Sequence, residues 1–120
     1  FKLHIITIPG NITFIGNSAF DGCTQITCLI IPAGVTVINS YTFRNCINLT
    51  SITIPDGVEY IANSGFKGCT GLTSITIPSC VWNIGTSAFE SCIGLTSITI
   101  PDGVKYIGNS NFKNCTGLTI

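Results

Sequence analysis

The cysteines are the residues of this chain with the most obvious capacity for chemistry, since thiolates bind metals and exchange disulfides. The chain has 7 cysteines in 120 residues, an odd number that excludes complete pairing within one chain. Two of them, Cys28 and Cys80, stand apart from any pattern. The other five recur at intervals of 23 residues: Cys23, Cys46, Cys69, Cys92 and Cys115.

The spacing of these five cysteines favours a core column over a metal or disulfide site. Zinc sites need ligands that converge, usually with one pair two to four residues apart. Copies stacked at the inter-strand distance of about 4.8 Å are parallel and do not converge. Free cysteine is among the most buried residues and packs as a small hydrophobe. We therefore predict a reduced structural ladder, no metal, no cofactor, and no bond between Cys28 and Cys80.

The remaining reactive side chains do not assemble a catalytic site. His4 is the only histidine, and no Ser, Cys or Asp is placed by the sequence to act with it, as a triad would require. Asp56 and Asp102 occupy the same turn position after a proline in their repeats and form no carboxylate pair. No glycine-rich stretch precedes a Lys-Ser or Lys-Thr pair, so a nucleotide loop is not supported. We predict that the protein is not an enzyme and that His4 is a solvated surface residue.

Composition excludes several classes of partner. Only 8% of the residues are charged, the formal net charge is zero, and 45% are hydrophobic. Nucleic acids and anionic membranes require clustered Lys and Arg, which the chain lacks. Its longest aliphatic run, residues 29–31, is far shorter than the roughly 18 residues of a membrane span. The sequence therefore predicts neither nucleic-acid binding nor a transmembrane segment.

The 23-residue interval extends beyond the cysteines and predicts a repeat solenoid. The five prolines follow it without exception: Pro9, Pro32, Pro55, Pro78 and Pro101. Five of the seven phenylalanines follow it too: Phe20, Phe43, Phe66, Phe89 and Phe112. We predict one domain over residues 1–120, made of about five repeats, with no capping unit evident at either end.

One repeat, residues 95–117, shows how such a unit is built. Apolar and hydroxyl residues alternate over 97–100, which predicts a strand with one buried face, and Pro101 ends it. Ser110 is predicted to cap a single helical or 3₁₀ turn, and Gly117 to close that turn with positive φ. Stacked units would bury seven positions per repeat: Leu, Ile, Ile, Val, Ile, Phe and Cys.

The repeat resembles a known family. The pattern Leu-x-x-Ile-x-Ile-Pro from Leu72 to Pro78, followed by Val81 to Cys92, is similar to the BspA-like leucine-rich repeats of surface proteins. The resemblance implies a right-handed, β-rich coil of the leucine-rich-repeat α/β type. It would have one parallel strand per repeat and short convex strand or 3₁₀ segments. It also implies an extracellular or cell-surface location and, often, adhesion.

Two sets of residues are candidates for a binding surface. The outward strand positions of the last three repeats are hydroxyl-rich: Ser51, Thr53, Ser74, Thr76, Ser97 and Thr99. The corresponding positions of the first two repeats are mostly apolar: Ile5, Thr7, Cys28 and Ile30. Aromatic side chains follow the proline turns at Tyr60, Trp82 and Tyr106. Solenoids recognise partners through such faces, although Thr also suits a strand and aromatics also cover turns.

Three Asn-x-Thr sequons mark possible N-glycosylation, at Asn11, Asn48 and Asn114. Short motifs of this kind arise easily in a repeat rich in Asn and Thr. They are therefore retained as hypotheses only.

The sequence thus supports one main function and two alternatives. The main hypothesis is a non-catalytic interaction or adhesion module that binds a protein or glycan through its open sheet face and adjoining turns. The first alternative is a structural subunit of an extracellular filament, in which copies of the chain stack end to end. The second is an ice-binding threonine ladder, which Cys28 and Ile30 interrupt.

Overall fold

The chain folds as a parallel β-solenoid in which each turn is one 23-residue repeat. The structure, a computed structural model, describes residues 5–119. One sheet contains β1 (Ile5–Thr7), β2 (Cys28–Ile30) and β4 (Ser51–Thr53), in that order. The other contains β3 (Val37–Ile38), β5 (Tyr60–Ile61), β6 (Asn83–Ile84) and β7 (Tyr106–Ile107). We call these the first and second sheets.

The register confirms the predicted solenoid. Every strand pair is parallel and joins residues 23 positions apart, as Ile6 pairs with Leu29 and Ile61 with Ile84. The first sheet continues beyond β4 as a bridge between Thr76 and Thr99. Most repeats thus carry a second short strand, which agrees with the short convex strand segments that the family resemblance implied. The three principal extents are 35, 32 and 20 Å, a block rather than a rod.

A proline turn joins the two sheets in each repeat. The N–H of the residue three positions after each proline donates to the proline carbonyl, at 3.1–3.2 Å in all five repeats. Proline lacks an N–H but keeps its carbonyl, so it can end a strand and close this turn. The predicted turn after the first strand is confirmed.

The helical turn predicted around Ser110 does not form, and the described residues contain no helix. Ser110 and its equivalents adopt left-handed φ angles of 56–60°: Ser18, Tyr41, Ser64, Ser87 and Ser110. A second left-handed column follows four residues later, with φ of 59–77°: Gly22, Asn45, Gly68, Ser91 and Asn114.

The backbone hydrogen bonds of this segment explain why a helix is excluded. Alternate N–H groups donate to the next turn of the coil, as from Tyr41 to the carbonyl of Asn63 (3.1 Å) and from Phe43 to that of Gly65 (2.9 Å). The N–H groups between them close local four-residue turns, as from Arg44 to the carbonyl of Tyr41 (3.2 Å). In a helix all of these N–H groups would donate to carbonyl groups of the same helix. The carbonyl groups of the neighbouring repeat would then have no partner.

The phenylalanine column forms a continuous stack through the core. Neighbouring rings lie 5.4–6.2 Å apart between centroids with interplanar angles of 4–13°. Phe43, Phe66 and Phe89 have no exposed surface. The seven predicted inward positions are buried in the repeat that precedes residues 95–117: Leu72, Ile75, Ile77, Val81, Ile84, Phe89 and Cys92. In residues 95–117 the prediction is met only in part, because Ile107 is 47% exposed. Each repeat therefore covers the apolar face of its neighbour, which no repeat could bury alone.

Opposite charges stack along the outer turns. The Arg44 guanidinium donates from Nε and Nη2 to the two carboxylate oxygens of Asp21, at 3.0 and 2.6 Å. These hydrogen bonds hold the pKa of Asp21 below its usual value. Lys67 and Glu90 form a looser pair at 3.5 Å. Both pairs join adjacent repeats, and because they are solvated they contribute little to stability.

Glycine is required where two turns approach closely, and Gly85 offers a test. A Cβ on Gly85 would lie 2.7 Å from the backbone N of Asn63 and 2.8 Å from the backbone C of Ala62. We expect Gly85→Ala to lower the free energy of unfolding by about 1–3 kcal/mol, because backbone atoms cannot rotate away. Thermal denaturation measures this loss.

The matched control for Gly85→Ala is Gly10→Ala. No atom lies within 4 Å of a Cβ built on Gly10, and φ is not left-handed at either glycine. The control should melt at or slightly above the wild-type temperature, since alanine restricts the unfolded chain. Equal melting temperatures for the two variants would contradict the tight packing of these turns.

The predicted positive φ at Gly117 is wrong. Positive φ at glycine is confined, within residues 5–119, to Gly22 and Gly68. A Cβ on Gly117 would instead lie 2.6 Å from the carbonyl oxygen of Ile93. Gly94 approaches the carbonyl of Thr70 at the same distance. This glycine column is therefore required by contact between turns and not by a left-handed conformation.

Candidate binding surfaces

The cysteine ladder lies inside the coil, where the thiols take part in the packing between repeats. Four of them donate to the carbonyl of the phenylalanine 26 residues earlier, at 3.0–3.2 Å: Cys46, Cys69, Cys92 and Cys115. Cys23, at the start of the ladder, is half-buried. All seven cysteines are free thiols, Cys28 and Cys80 included.

Burial holds these thiols in the protonated form. It raises the pKa of Cys46 and of Cys92 to about 12, and it raises the pKa of Cys69 further. The thiolate is the form that attacks electrophiles and binds metals, so a thiol with such a pKa is inert at neutral pH. Among residues 5–119 no group of three or more His, Cys, Asp or Glu side chains could hold a metal ion. His4 lies outside the described residues.

The predicted hydroxyl residues share the outward face of the first sheet. Ser51 and Thr53 lie on β4, and Thr76 and Thr99 pair directly in the parallel bridge. All six are exposed: Ser51, Thr53, Ser74, Thr76, Ser97 and Thr99. We call this surface the first face. It is continuous from β1 to the bridge because each pairing places one outward residue beside the next.

A groove of about 470 Å³ lies on the first face, over β1, β2 and β4. Ile5 and Ile30 are its largest exposed apolar side chains, with 62% and 69% of their surface accessible. Ser51 and Thr53 line its other side, where the Ser51 hydroxyl donates to the Cys28 sulfur at 3.3 Å. Among residues 5–119, none of those that line this groove is charged.

The sequence analysis identified Ser51 and Thr53 as candidates, treated Cys28 and Ile30 as interruptions of the threonine ladder, and noted Ile5 only as an apolar outward position. The structure brings all of them to one groove. The available signal was a large apolar residue at an outward strand position in two successive repeats. Isolated exposed apolar residues are ordinary, whereas adjacent ones on one face are a marker of binding.

The predicted aromatic residues lie on a different surface, the outward side of the second sheet and its flanking turns. We call it the second face. It carries a groove of about 440 Å³ that is lined by six polar or aromatic residues, Tyr60, Asn63, Asn83, Thr86, Lys105 and Tyr106, and by Ile84, Gly85, Ile107 and Gly108. Trp82 packs edge-on against Tyr106, with centroids 6.0 Å apart and an interplanar angle of 75°. No residue lines both this groove and the groove of the first face. The two sets of candidate residues therefore lie on two separate surfaces.

The three sequon asparagines are all exposed: Asn11, Asn48 and Asn114. They differ in their surroundings. The Asn48 amide donates from Nδ2 to the carbonyl of Thr24 at 2.8 Å, so it takes part in the contact between repeats. Asn114 sits at a left-handed φ of 63°. Their glycosylation stays a prediction.

The repeat pattern matches a known protein family. The family model described as BspA type leucine-rich repeat region matches residues 1–119 in six copies. No curated protein sequence matches the chain. Within residues 5–119 there is no helix of the length and hydropathy that crossing a membrane requires.

Several solved bacterial structures share the fold. A leucine-rich repeat protein of T. pallidum superposes with a TM-score of 0.93 at 30% identity, over 96% of this chain and 56% of that one. A leucine-rich cell surface protein of Faecalibacterium prausnitzii gives 0.92 at 35% identity, over 96% and 30%. A leucine-rich repeat protein of Bacteroides ovatus gives 0.68 at 30% identity, over 95% and 38%. The chain thus spans about half of the first protein and about a third of the other two.

Proposed function

Since the chain belongs to the BspA type leucine-rich repeat family, we propose that it is a non-catalytic protein-interaction or adhesion module of a cell-surface or secreted protein. It binds its ligand through the open first face. The F. prausnitzii relative, described as a cell surface protein, supports the location.

The groove of the first face is the observation that carries this proposal. Ile5 and Ile30 expose most of their surface on the paired strands β1 and β2, in diagonal positions, because Ile5 pairs with Cys28 and Thr7 with Ile30. Apolar groups that share one exposed face are stabilised when a partner removes them from water. Hydroxyl groups of Ser51 and Thr53 border this apolar centre. An apolar centre with a polar rim is the arrangement found in protein interfaces.

The backbone beneath the groove is suited to binding without rearrangement. β2, which carries Ile30, pairs with β1 on one side and β4 on the other. A strand held on both edges loses little further freedom when a ligand binds, so less binding energy is spent on ordering. Since the described residues of the lining carry no charge, they should give the affinity only a weak dependence on salt.

The test is the substitution Ile30→Lys in a solid-phase binding assay against a panel of extracellular-matrix proteins. We expect at least one member of the panel to bind the wild type and the variant to lose about tenfold or more in affinity. The reason is that burying an unpaired ammonium group in an apolar groove is costly. Ile30 is exposed, so the variant should keep its melting temperature.

Ile47→Lys is the matched control, because Ile47 is also an exposed isoleucine (45%) but lies outside both grooves. Retained binding in the control and in Ile30→Lys alike would show that the first face is not the binding surface. The two alternatives are checked on the same samples: sedimentation reports end-to-end assembly, and thermal hysteresis reports ice binding.

A further inference from the structure

The second face combines exposed aromatic rings with polar groups that the fold does not use. Tyr106 exposes 60% of its surface, and Tyr60 stands two repeats away in the same column, about 10 Å along the stack. Asn83 lies between them on β6. Within residues 5–119 the side chains of Tyr60, Asn83 and Tyr106 make no hydrogen bond, so their hydroxyl and amide groups are available to a ligand.

The groove between these residues is held in shape by its neighbours. Trp82 packs edge-on against Tyr106 and restricts the orientation of that ring. Asn63 is held by its Oδ1, which accepts the N–H of Thr86 at 2.9 Å. Its volume of about 440 Å³ falls in the range of small-ligand sites.

The lining argues against most classes of ligand. Among the described residues Lys105 is the only charged one in the lining, so these residues offer neither a basic cluster for phosphate nor a carboxylate for a metal cation. β5 and β6 are paired on both edges, so no backbone edge is open for a peptide to extend this sheet there. A wholly apolar ligand would bury the amide and hydroxyl groups of the lining without giving them hydrogen-bond partners.

We propose that the second face binds a neutral carbohydrate chain. Each hydroxyl of a sugar donates and accepts hydrogen bonds, as the amides of Asn63 and Asn83 do. The apolar face of a sugar ring packs on an aromatic ring, a role that Tyr106 fills with Tyr60 farther along the groove. A neutral sugar chain needs no charged partner, and the described lining holds no group of charges that would favour an ionic ligand over it. This site is separate from the protein-binding first face and does not rest on the proposed function.

Titration calorimetry with a panel of neutral oligosaccharides tests the proposal, using β-1,4-, β-1,3- and α-1,4-linked glucose chains and β-1,4-linked N-acetylglucosamine chains. We expect at least one of them to bind. Tyr106→Ala should weaken that binding about tenfold or more, and Asn83→Ala should weaken it by removing hydrogen bonds to sugar hydroxyls. Tyr106→Phe keeps the ring and should lose less than Tyr106→Ala.

Phe14→Ala is the matched control. Phe14 occupies the same column as Tyr60 and Tyr106 and exposes 73% of its surface, but it lies outside the groove. It should bind as the wild type does, and so should Ile30→Lys, which alters only the first face. The proposal is overturned if no oligosaccharide of the panel binds, or if binding survives both Tyr106→Ala and Asn83→Ala. Salt-sensitive binding of a polyanion in place of neutral sugars would overturn it equally.

Discussion

Replacing Phe66 by alanine should lower the free energy of unfolding by about 3–5 kcal/mol. Phe66 has no exposed surface and is stacked between Phe43 and Phe89, with centroid distances of 5.4 and 5.5 Å. Its removal leaves a cavity that both neighbouring repeats line, and stacked repeats cannot collapse into it without losing their backbone register. Urea unfolding followed by circular dichroism measures the change.

Phe14→Ala serves as the control for Phe66→Ala as well. The same side chain is removed from a position that is 73% exposed, so the loss should stay within about 0.5 kcal/mol. Similar stability losses in the two variants would mean that the phenylalanine stack does not hold the repeats together.

The second large effect is a loss of stability at alkaline pH. Burial raises the pKa of the Cys46, Cys69 and Cys92 thiols far above the value of about 8.5 expected in an unfolded chain. Below that pH both states keep their protons and the contribution of the thiols to stability is fully present. Above it only the unfolded state releases protons, which stabilises that state. Stability therefore falls as the pH rises from about 9 towards 12.

Each buried thiol lowers the free energy of unfolding by about 1.4 kcal/mol per pH unit in this window, and the three together by about 4 kcal/mol. Urea unfolding between about pH 8 and 10.5 measures the slope, with the protein kept reduced. Cys69→Ala should remove about a third of it, whatever it does to stability at neutral pH. Cys80→Ala, at an exposed cysteine, is the control. If the pH dependence of the free energy of unfolding were equal in Cys69→Ala and Cys80→Ala, the buried thiols would not be the cause of the alkaline loss of stability.

The parts of the fold that repeat in the sequence were predictable. Because the same residue type recurs at Phe43, Phe66 and Phe89, only a register of 23 residues aligns like with like, and the strands adopt it. Alternation before each proline predicted the first strand and its buried side. The register and the buried side of the strand depend on contacts between equivalent positions of successive repeats, and a repeat sequence identifies these positions by their spacing.

The prediction of a helical turn at Ser110 was wrong because the local preference of serine conflicts there with the hydrogen bonds between repeats. Serine is a good helix cap, but its short polar side chain also suits turns that compete with a helix. The deciding contribution comes from N–H groups that donate across to the next repeat, as from Phe66 to the carbonyl of Ala88 at 2.8 Å. No local pattern reports such a bond.

The candidate surfaces were only partly predictable for a related reason. Thr53 and Tyr60 are seven residues apart and both face outward, yet the turn at Pro55 places them on separate sheets. The sequence could identify each residue as exposed but not the direction in which the turn sends the chain. The separation of a neutral apolar groove from an aromatic groove is a result of that geometry.

By itself the sequence determined the period, the strand register and the composition of each buried column, because these depend on residue type and spacing alone. The tertiary structure decided the left-handed turns, the division into two faces and the tightness of particular contacts. Ala62 and Gly85 illustrate the difference, since they occupy one column, yet a Cβ at 85 would meet backbone atoms of 62 and 63 within 2.8 Å. Such tolerances are set by how closely two turns of backbone approach each other, a distance that depends on the packing of every repeat beneath them.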